Sequence, residues 1–314
     1  MTRFWNASRG GYLVAALLVV LTVSPAVLAD DHGGEPEHNS ALSFSAGVDL
    51  STAYYYNGIP QQDAGVITWP WAEFGIQLTE TIGVSFGTWN SLNDQGVTTD
   101  ENGVDTRHSG IPWYESDFYT GSSVGLPANL EFGLTYVYLY NPNGGDKFSE
   151  ELQFSLSYDD SELLGDMALS PSVQISQEIE AGSDAPGAAG REGTLLLISI
   201  EPGLTLMDDS DYPLSLSFPG VVGINLDDYY ETGLSAGPRE DNDDTFGFAD
   251  IGVAASVPLA FVPEQYGSWS FGASFHVIFL GDSAQEIGGP NNFDVSHDFS
   301  DVEVYATGGI TVEM

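Results

Sequence analysis

Apolar and polar residues alternate with a period of two along most of this chain. Between residues 42 and 54, Leu42, Phe44, Ala46, Val48, Leu50, Thr52 and Tyr54 fall on one face. Ser43, Ser45, Gly47, Asp49 and Ser51 fall on the other. Successive side chains on a strand point to opposite faces, so this pattern makes one greasy face and one wet face. It returns in about a dozen segments of roughly 10 residues, the length a tilted transmembrane strand needs.

The later apolar faces are as follows. Ala72, Phe74, Ile76 and Leu78 come first, then Ile82, Val84 and Phe86, then Phe118 and Val124. Next are Leu130, Phe132, Leu134, Tyr136, Tyr138 and Tyr140, followed by Leu152, Phe154, Leu156 and Tyr158. The second half has Leu169, Val173, Ile175 and Ile179, then Leu196, Ile198, Ile200 and Leu204, then Leu214, Leu216, Phe218, Val222 and Ile224. Ile251, Val253, Ala255 and Val257 follow, then Trp269, Phe271, Ala273, Phe275, Val277 and Phe279. Val302, Val304, Ala306, Ile310, Val312 and Met314 end the chain. These segments predict an all-β fold, a transmembrane antiparallel up-and-down barrel of about 12 strands over residues 41–314. Pro202 and Pro219 fall inside two of the runs, where each removes a ladder hydrogen bond, so the register is weakest there.

Connections alternate in length. Thr79-Glu80-Thr81 and Pro127-Ala128-Asn129 are short. The segments 90–112, 180–193, 227–245 and 281–300 are long and rich in Gly, Asp, Asn and Pro. Short periplasmic turns opposite long acidic extracellular loops are the habit of outer-membrane barrels. Aromatic residues near strand ends are expected to form interfacial girdles. Tyr54 to Tyr56, Tyr138, Tyr140, Tyr229, Tyr230 and Phe246 lie beside long loops, and Tyr158, Tyr212, Tyr266 and Trp269 beside short turns.

The first residues sharpen the compartment. Arg3 and Arg9, an apolar run from Tyr12 to Val23 and Val27-Leu28-Ala29 before Asp30 read as a signal peptide over 1–29. Residues 30–40 read as a disordered periplasmic tail. The predicted location is the cell outer membrane, with the lipid bilayer and lipopolysaccharide as partners. There is no cysteine, which excludes a disulfide scaffold and thiolate metal sites. The formal net charge is −40, and beyond the signal only Arg107, Lys147, Arg191 and Arg239 stand against 46 acidic residues. Such a surface repels nucleic acid and anionic substrates.

Four stretches carry a family likeness. FSAGVDLSTAYYYNGIPQQDAGV (44–66), VSFGTWNSLND (84–94), ESDFYTG (115–121) and ELQFSLSYDD (151–160) resemble the TorF-type porin family over roughly the first half of the chain. Asn57-Gly58 stands where that family usually has Arg-Gly, and the last residue is Met314 rather than Phe. The resemblance implies an exported outer-membrane barrel in passive transport.

The polar face supplies the functional clue. By the alternation Asp49, Glu73, Glu115, Asp117, Glu131, Glu151, Glu178, Glu201, Asp250 and Glu303 point away from lipid. All four remaining basic residues fall in predicted loops, so no strand offers these carboxylates a cation. Carboxylates are more easily kept charged in water, which predicts a hydrated, cation-preferring lumen for small cations or small polar solutes. Salt adaptation accounts for acidic loop runs such as Asp208-Asp209-Ser210-Asp211 and Asp241-Asn242-Asp243-Asp244. Two alternatives remain: a closed structural or adhesive barrel whose acidic loops bind divalent cations, and a secreted soluble β-sandwich binding protein. Bulky inward residues, Trp89 and Tyr119 among them, bear on the first, because they could fill so small a barrel.

No cofactor or resident metal is expected. The acidic runs lack the spacing of a calcium loop, and His32 and His38 fall in the tail. No enzyme is expected either. His276 is the sole histidine in a predicted strand, with Ser256, Ser270 and Ser274 nearby, an unspecific constellation; Ser296-His297-Asp298 is a loop tripeptide.

Overall fold

The computed structural model describes residues 41–99, 105–109, 113–142, 147–181, 192–207, 210, 212–230, 244–287 and 299–314. The expected signal peptide, the tail, Arg191, Arg239, most of the acidic loop runs and Ser296-His297-Asp298 lie outside them.

A 12-strand antiparallel barrel closes on itself. Its strands in chain order are β1 (Leu42–Ser51), β2 (Ile67–Gln77), β3 (Ile82–Asn93), β4 (Glu115–Leu126), β5 (Leu130–Tyr140), β6 (Lys147–Tyr158), β7 (Ser172–Ala181), β8 (Thr194–Ile200), β9 (Gly220–Asp227), β10 (Phe246–Pro258), β11 (Ser268–Leu280) and β12 (Val302–Glu313). Each pairs with its sequence neighbours, and β12 pairs back onto β1 with Ser45 opposite Glu313 and Ser51 opposite Thr307. Each of the 12 wall strands is paired on both sides, so the wall satisfies its backbone groups internally, as hydrocarbon requires. Among the described residues no helix is long and apolar enough to cross a membrane.

The registers put Phe44, Phe74, Phe86, Phe118, Phe154, Ile175, Ile198, Val253, Phe275 and Ile310 on the exposed outer face, as the alternation predicts. The two prolines interrupt strands where expected. β8 resumes after Pro202 as Gly203–Leu206, and Leu214–Ser217 precedes β9 across Pro219. The Phe218 amide donates to the Pro202 carbonyl at 2.9 Å, and the Gly252 amide to the Pro219 carbonyl at 2.8 Å, so the ladder survives the missing N–H groups.

Connection lengths sort less strictly than expected. The 141–146 connection, at the long-loop end, is brief. The 159–171 connection, at the short-turn end, holds a helical turn, α1 (Ser161–Leu164). Asp160 organises this turn by accepting the Leu169 amide at 3.0 Å and the Ser170 amide at 3.0 Å. Burial pushes the Asp160 carboxyl up, but the Ser170 and Leu169 amides, together with its own, outweigh burial and hold it below the usual aspartate range.

Two expectations are corrected here. Tyr54, Tyr55, Tyr56, Tyr229 and Tyr230 are not girdle residues: all are buried inside the barrel, where their hydroxyls and rings find partners that lipid could not give. Lys147 is not a loop residue but opens β6. It pairs with Glu150 and Glu180 rather than with a lumen carboxylate. Arg107 lies in a two-stranded hairpin (Gln95–Thr99 with Asp105–Ser109) outside the barrel ladder.

Candidate functional site: a hairpin seated in the lumen

The chain between β1 and β2 turns inward. Tyr54–Tyr56 and Ile59–Gln62 pair with each other and with no barrel strand, forming a hairpin inside the wall. Its turn is Asn57-Gly58, with φ of 49° and 83°. Asn-Gly suits a two-residue turn because both positions need positive φ. A Cβ on Gly58 would sit 2.6 Å from Phe248 Cβ on β10, so only glycine lets the tip reach the opposite wall.

Side chains hold the hairpin on every side. The Tyr54 hydroxyl donates to Glu115 Oε2 on β4 at 2.8 Å, and the Tyr56 hydroxyl to Glu151 Oε1 on β6 at 2.6 Å. Tyr230 donates to the Asn57 carbonyl at 2.6 Å, and Asn57 Nδ2 donates to the Tyr229 hydroxyl. Ser91 and Tyr114 hydroxyls donate to Gln62 and Gln61 at 2.6 and 2.8 Å. Tyr55 packs on Tyr305 of β12, with ring centroids 5.5 Å apart. A helix in the last connection, α2 (Asp282–Ile287), buries Ala284 and Ile287 against the same cluster. The hydrophobic core of this protein therefore lies inside the barrel, toward its long-loop end.

The lower lumen is different. Small residues are frequent on the lower wall: Ser43 on β1 pairs with Gly75 on β2, Gly75 with Ser85 on β3, Ser85 with Gly121 on β4, and Gly272 on β11 with Gly309 on β12, while Ser45 stands opposite Glu73 and Gly47 opposite Trp71.

The wall carboxylates separate into groups. Glu115, Asp117, Glu151, Glu178 and Asp250 are all at or below 1 % exposure, at the level of the hairpin or next to it. At that level, where the alternation alone predicts a hydrated lumen, aromatic side chains pack around them. For Glu151 and Glu178, protein donors satisfy the carboxylate oxygens. Glu151 accepts from Tyr56, from Ser176 at 2.6 Å and from Gln153 at 3.0 Å. Glu178 accepts from Ser149 at 3.0 Å and from the Gly193 amide at 2.9 Å. Asp49 and Glu73 are half-buried below the hairpin, taking hydrogen bonds from Trp71 (3.1 Å) and Tyr119 respectively. Tyr119 lies across Gly87, where a Cβ would be 2.1 Å from its ring. Glu303 accepts the Ser300 amide and hydroxyl at 2.9 and 2.8 Å near the long-loop rim. Glu131 stands near the short-turn end opposite Gly125 and Ser157. Glu201 is exposed at the β8 break. Among the described residues no Lys or Arg shares the inward register positions with them.

His276 also faces in. Its Nδ1 lies 2.8 Å from Asp250 Oδ1 and its Nε2 lies 3.1 Å from Ser274 Oγ, while Tyr305 donates to Asp250 Oδ2 at 2.7 Å. Carboxylate, imidazole and hydroxyl stand in the order of an acyl-transfer triad. The surrounding β10–β12 backbone is paired in the ladder, and Ser274 Oγ also lies 2.7 Å from Thr307 Oγ1. The chain's alternation could place His276 and Asp250 on one face, but not in contact. The hairpin, the largest feature of the site, had a sequence signal in Asn57-Gly58, yet nothing told inward folding from outward.

A closed antiparallel barrel with an apolar outside and a polar, plugged inside defines a transmembrane β-barrel protein. No family model and no curated sequence matches this chain. Three similar solved structures illustrate the shape. LpxR from Salmonella typhimurium has a TM-score of 0.46 at 10% identity, over 85% of this chain and 99% of that one. An outer membrane channel from Pseudomonas putida F1 has a TM-score of 0.45 at 10% identity, over 91% of this chain and 100% of that one. The NanC porin has a TM-score of 0.40 at 9% identity, over 87% and 100%. The barrel assignment rests on the closed ladder, not on these likenesses.

Proposed function

We propose that this protein is a small passive channel of the outer membrane, preferring cations, whose bore is controlled by the hairpin at 54–62. One observation carries the reading: the hairpin pairs only with itself and is tied to the wall by side chains, so it can leave without breaking the barrel ladder. Below it the lumen wall is polar, with Ser, Gly and Thr beside Asp49, Glu73 and Glu131, a lining suited to water. Around it the wall carries carboxylates without inward Lys or Arg among the described residues. Such a ring attracts cations and repels anions. The resemblance to TorF-type porins supports the same role.

A closed structural or adhesive barrel is the second reading, favoured by the buried aromatic core within the lumen. Liposome swelling with uncharged sugars of graded size separates the two. The channel reading expects slow but size-limited entry that quickens when residues 53–64 are replaced by a short Gly-Ser linker. A barrel that stays impermeable in both forms contradicts it.

A further inference from the structure

We propose that Glu115 and Asp117 form a binding site for a hard divalent cation of the Ca²⁺ class, enclosed between the hairpin and the β3–β4 wall. Both side chains are 1 % exposed. They sit two residues apart on one face of β4, carboxyl against carboxyl. The Tyr54 hydroxyl serves Glu115 Oε2, but Glu115 Oε1 and both Asp117 oxygens receive no donor. The other deeply buried carboxylates at this level are supplied: Glu151 by three donors, and Glu178 and Asp250 by two each. Among the deeply buried carboxylates at this level, the pair on β4 is the exception.

Buried carboxylate oxygens without a donor are costly, and acceptors facing one another add repulsion. A cation removes both costs. The wall provides none among its described inward residues, so it must come from solution. Two carboxylates are matched in charge by a divalent ion. Ca²⁺ takes oxygen ligands in irregular geometry, whereas Mg²⁺ demands an octahedron and sheds water reluctantly. Among the described residues no three His, Cys, Asp or Glu side chains converge on one point. The ion therefore takes two carboxylates as its protein ligands, and water completes its shell. This deepens the cation-preferring reading and rests on it for the route by which the ion arrives.

The test is Tb³⁺ luminescence on the full, refolded, metal-stripped protein in detergent micelles. Trp89 stands opposite Asp117 in the ladder, and Trp69 packs against Trp89 with ring centroids 5.7 Å apart, so excited tryptophan should sensitise a bound Tb³⁺. Ca²⁺ should compete the emission away. Asp117→Asn and Glu115→Gln should each cut it at least fivefold, while Asp241→Asn with Asp243→Asn leaves it in place. As a check independent of variants that fail to fold, Ca²⁺ but not Mg²⁺ should raise the wild-type temperature of heat-modifiable gel mobility. The site is overturned by no sensitised emission, by emission that Ca²⁺ does not displace, by loss in the loop variant alone, or by the absence of a Ca²⁺ shift, as a proton shared by the two carboxyls would give. Failure here with cation selectivity intact leaves the channel reading standing. Binding without selectivity does the reverse.

Discussion

The two halves of this lumen are built from different materials. At the long-loop end, Tyr54, Tyr56, Trp69, Trp89, Tyr229, Tyr230 and Phe248 pack around buried carboxylates and fill the bore. At the short-turn end, Ser43, Ser45, Gly75, Ser85, Ser123, Ser155, Gly272 and Thr311 line the same wall with small side chains. One ladder runs through both, with the same outer apolar belt. Closure of the wall therefore does not decide whether the interior is open. Side-chain volume and one folded-in hairpin decide it, and that hairpin pairs outside the wall ladder while lying within it.

The largest test of that contrast removes the hairpin. Replacing residues 53–64 with a short Gly-Ser linker should raise single-channel conductance at least tenfold while the barrel keeps its heat-modifiable mobility. An unchanged conductance would place the constriction elsewhere. Gly58→Val acts at the tip, where φ is 83° and the Phe248 ring lies against the missing Cβ. A β-branched residue there costs roughly 1–2 kcal/mol in backbone strain alone. The open fraction of single-channel recordings should rise about tenfold, with little change in open-state conductance. Tyr56→Phe removes one charge-assisted donor from Glu151, worth about 2 kcal/mol, and part of that is offset because Ser176 and Gln153 remain. Its gating change should be smaller than that of Gly58→Val. In the lower half, Ser155→Ala should move neither quantity.

A pH effect is expected outside the membrane as well. The folded Asp160 carboxyl is held below its ordinary range by the Leu169 and Ser170 amides. A depressed carboxyl contributes stability that is present above the unfolded value and lost as pH falls through the folded one. Asp160→Asn should therefore lower the heat-modification temperature at neutral pH. The difference from wild type should shrink in strong acid, and a gap that persists there would show the charge to be irrelevant.

The wall was legible and the interior was not. Period-two alternation fixes which of Phe44 and Ser45 faces lipid, because the pleat leaves no other choice, and Pro202 and Pro219 mark the ladder breaks by chemistry alone. Tyr54-Tyr55-Tyr56 misleads for a physical reason: an amphipathic ring suits a membrane interface and a hydrogen-bonded core equally well, and three in a row have no alternation to choose between them. Glu115 and Asp117 were placed on one face by spacing. Their depth beneath Tyr54, and the contrast with well-supplied Glu151, depend on a hairpin that reaches across the barrel, and no local pattern encodes that reach.

Reversal potential across a planar bilayer under a KCl gradient tests most directly the claim that the charged half governs passage. The hairpin-deleted barrel should pass K⁺ in preference to Cl⁻, and the preference should weaken with salt, since screening acts over about 10 Å at 0.1 M. Glu115→Gln with Asp117→Asn should move the potential toward zero by more than Asp241→Asn with Asp243→Asn does. A chloride-selective pore, or a larger shift from the loop pair, would contradict the account.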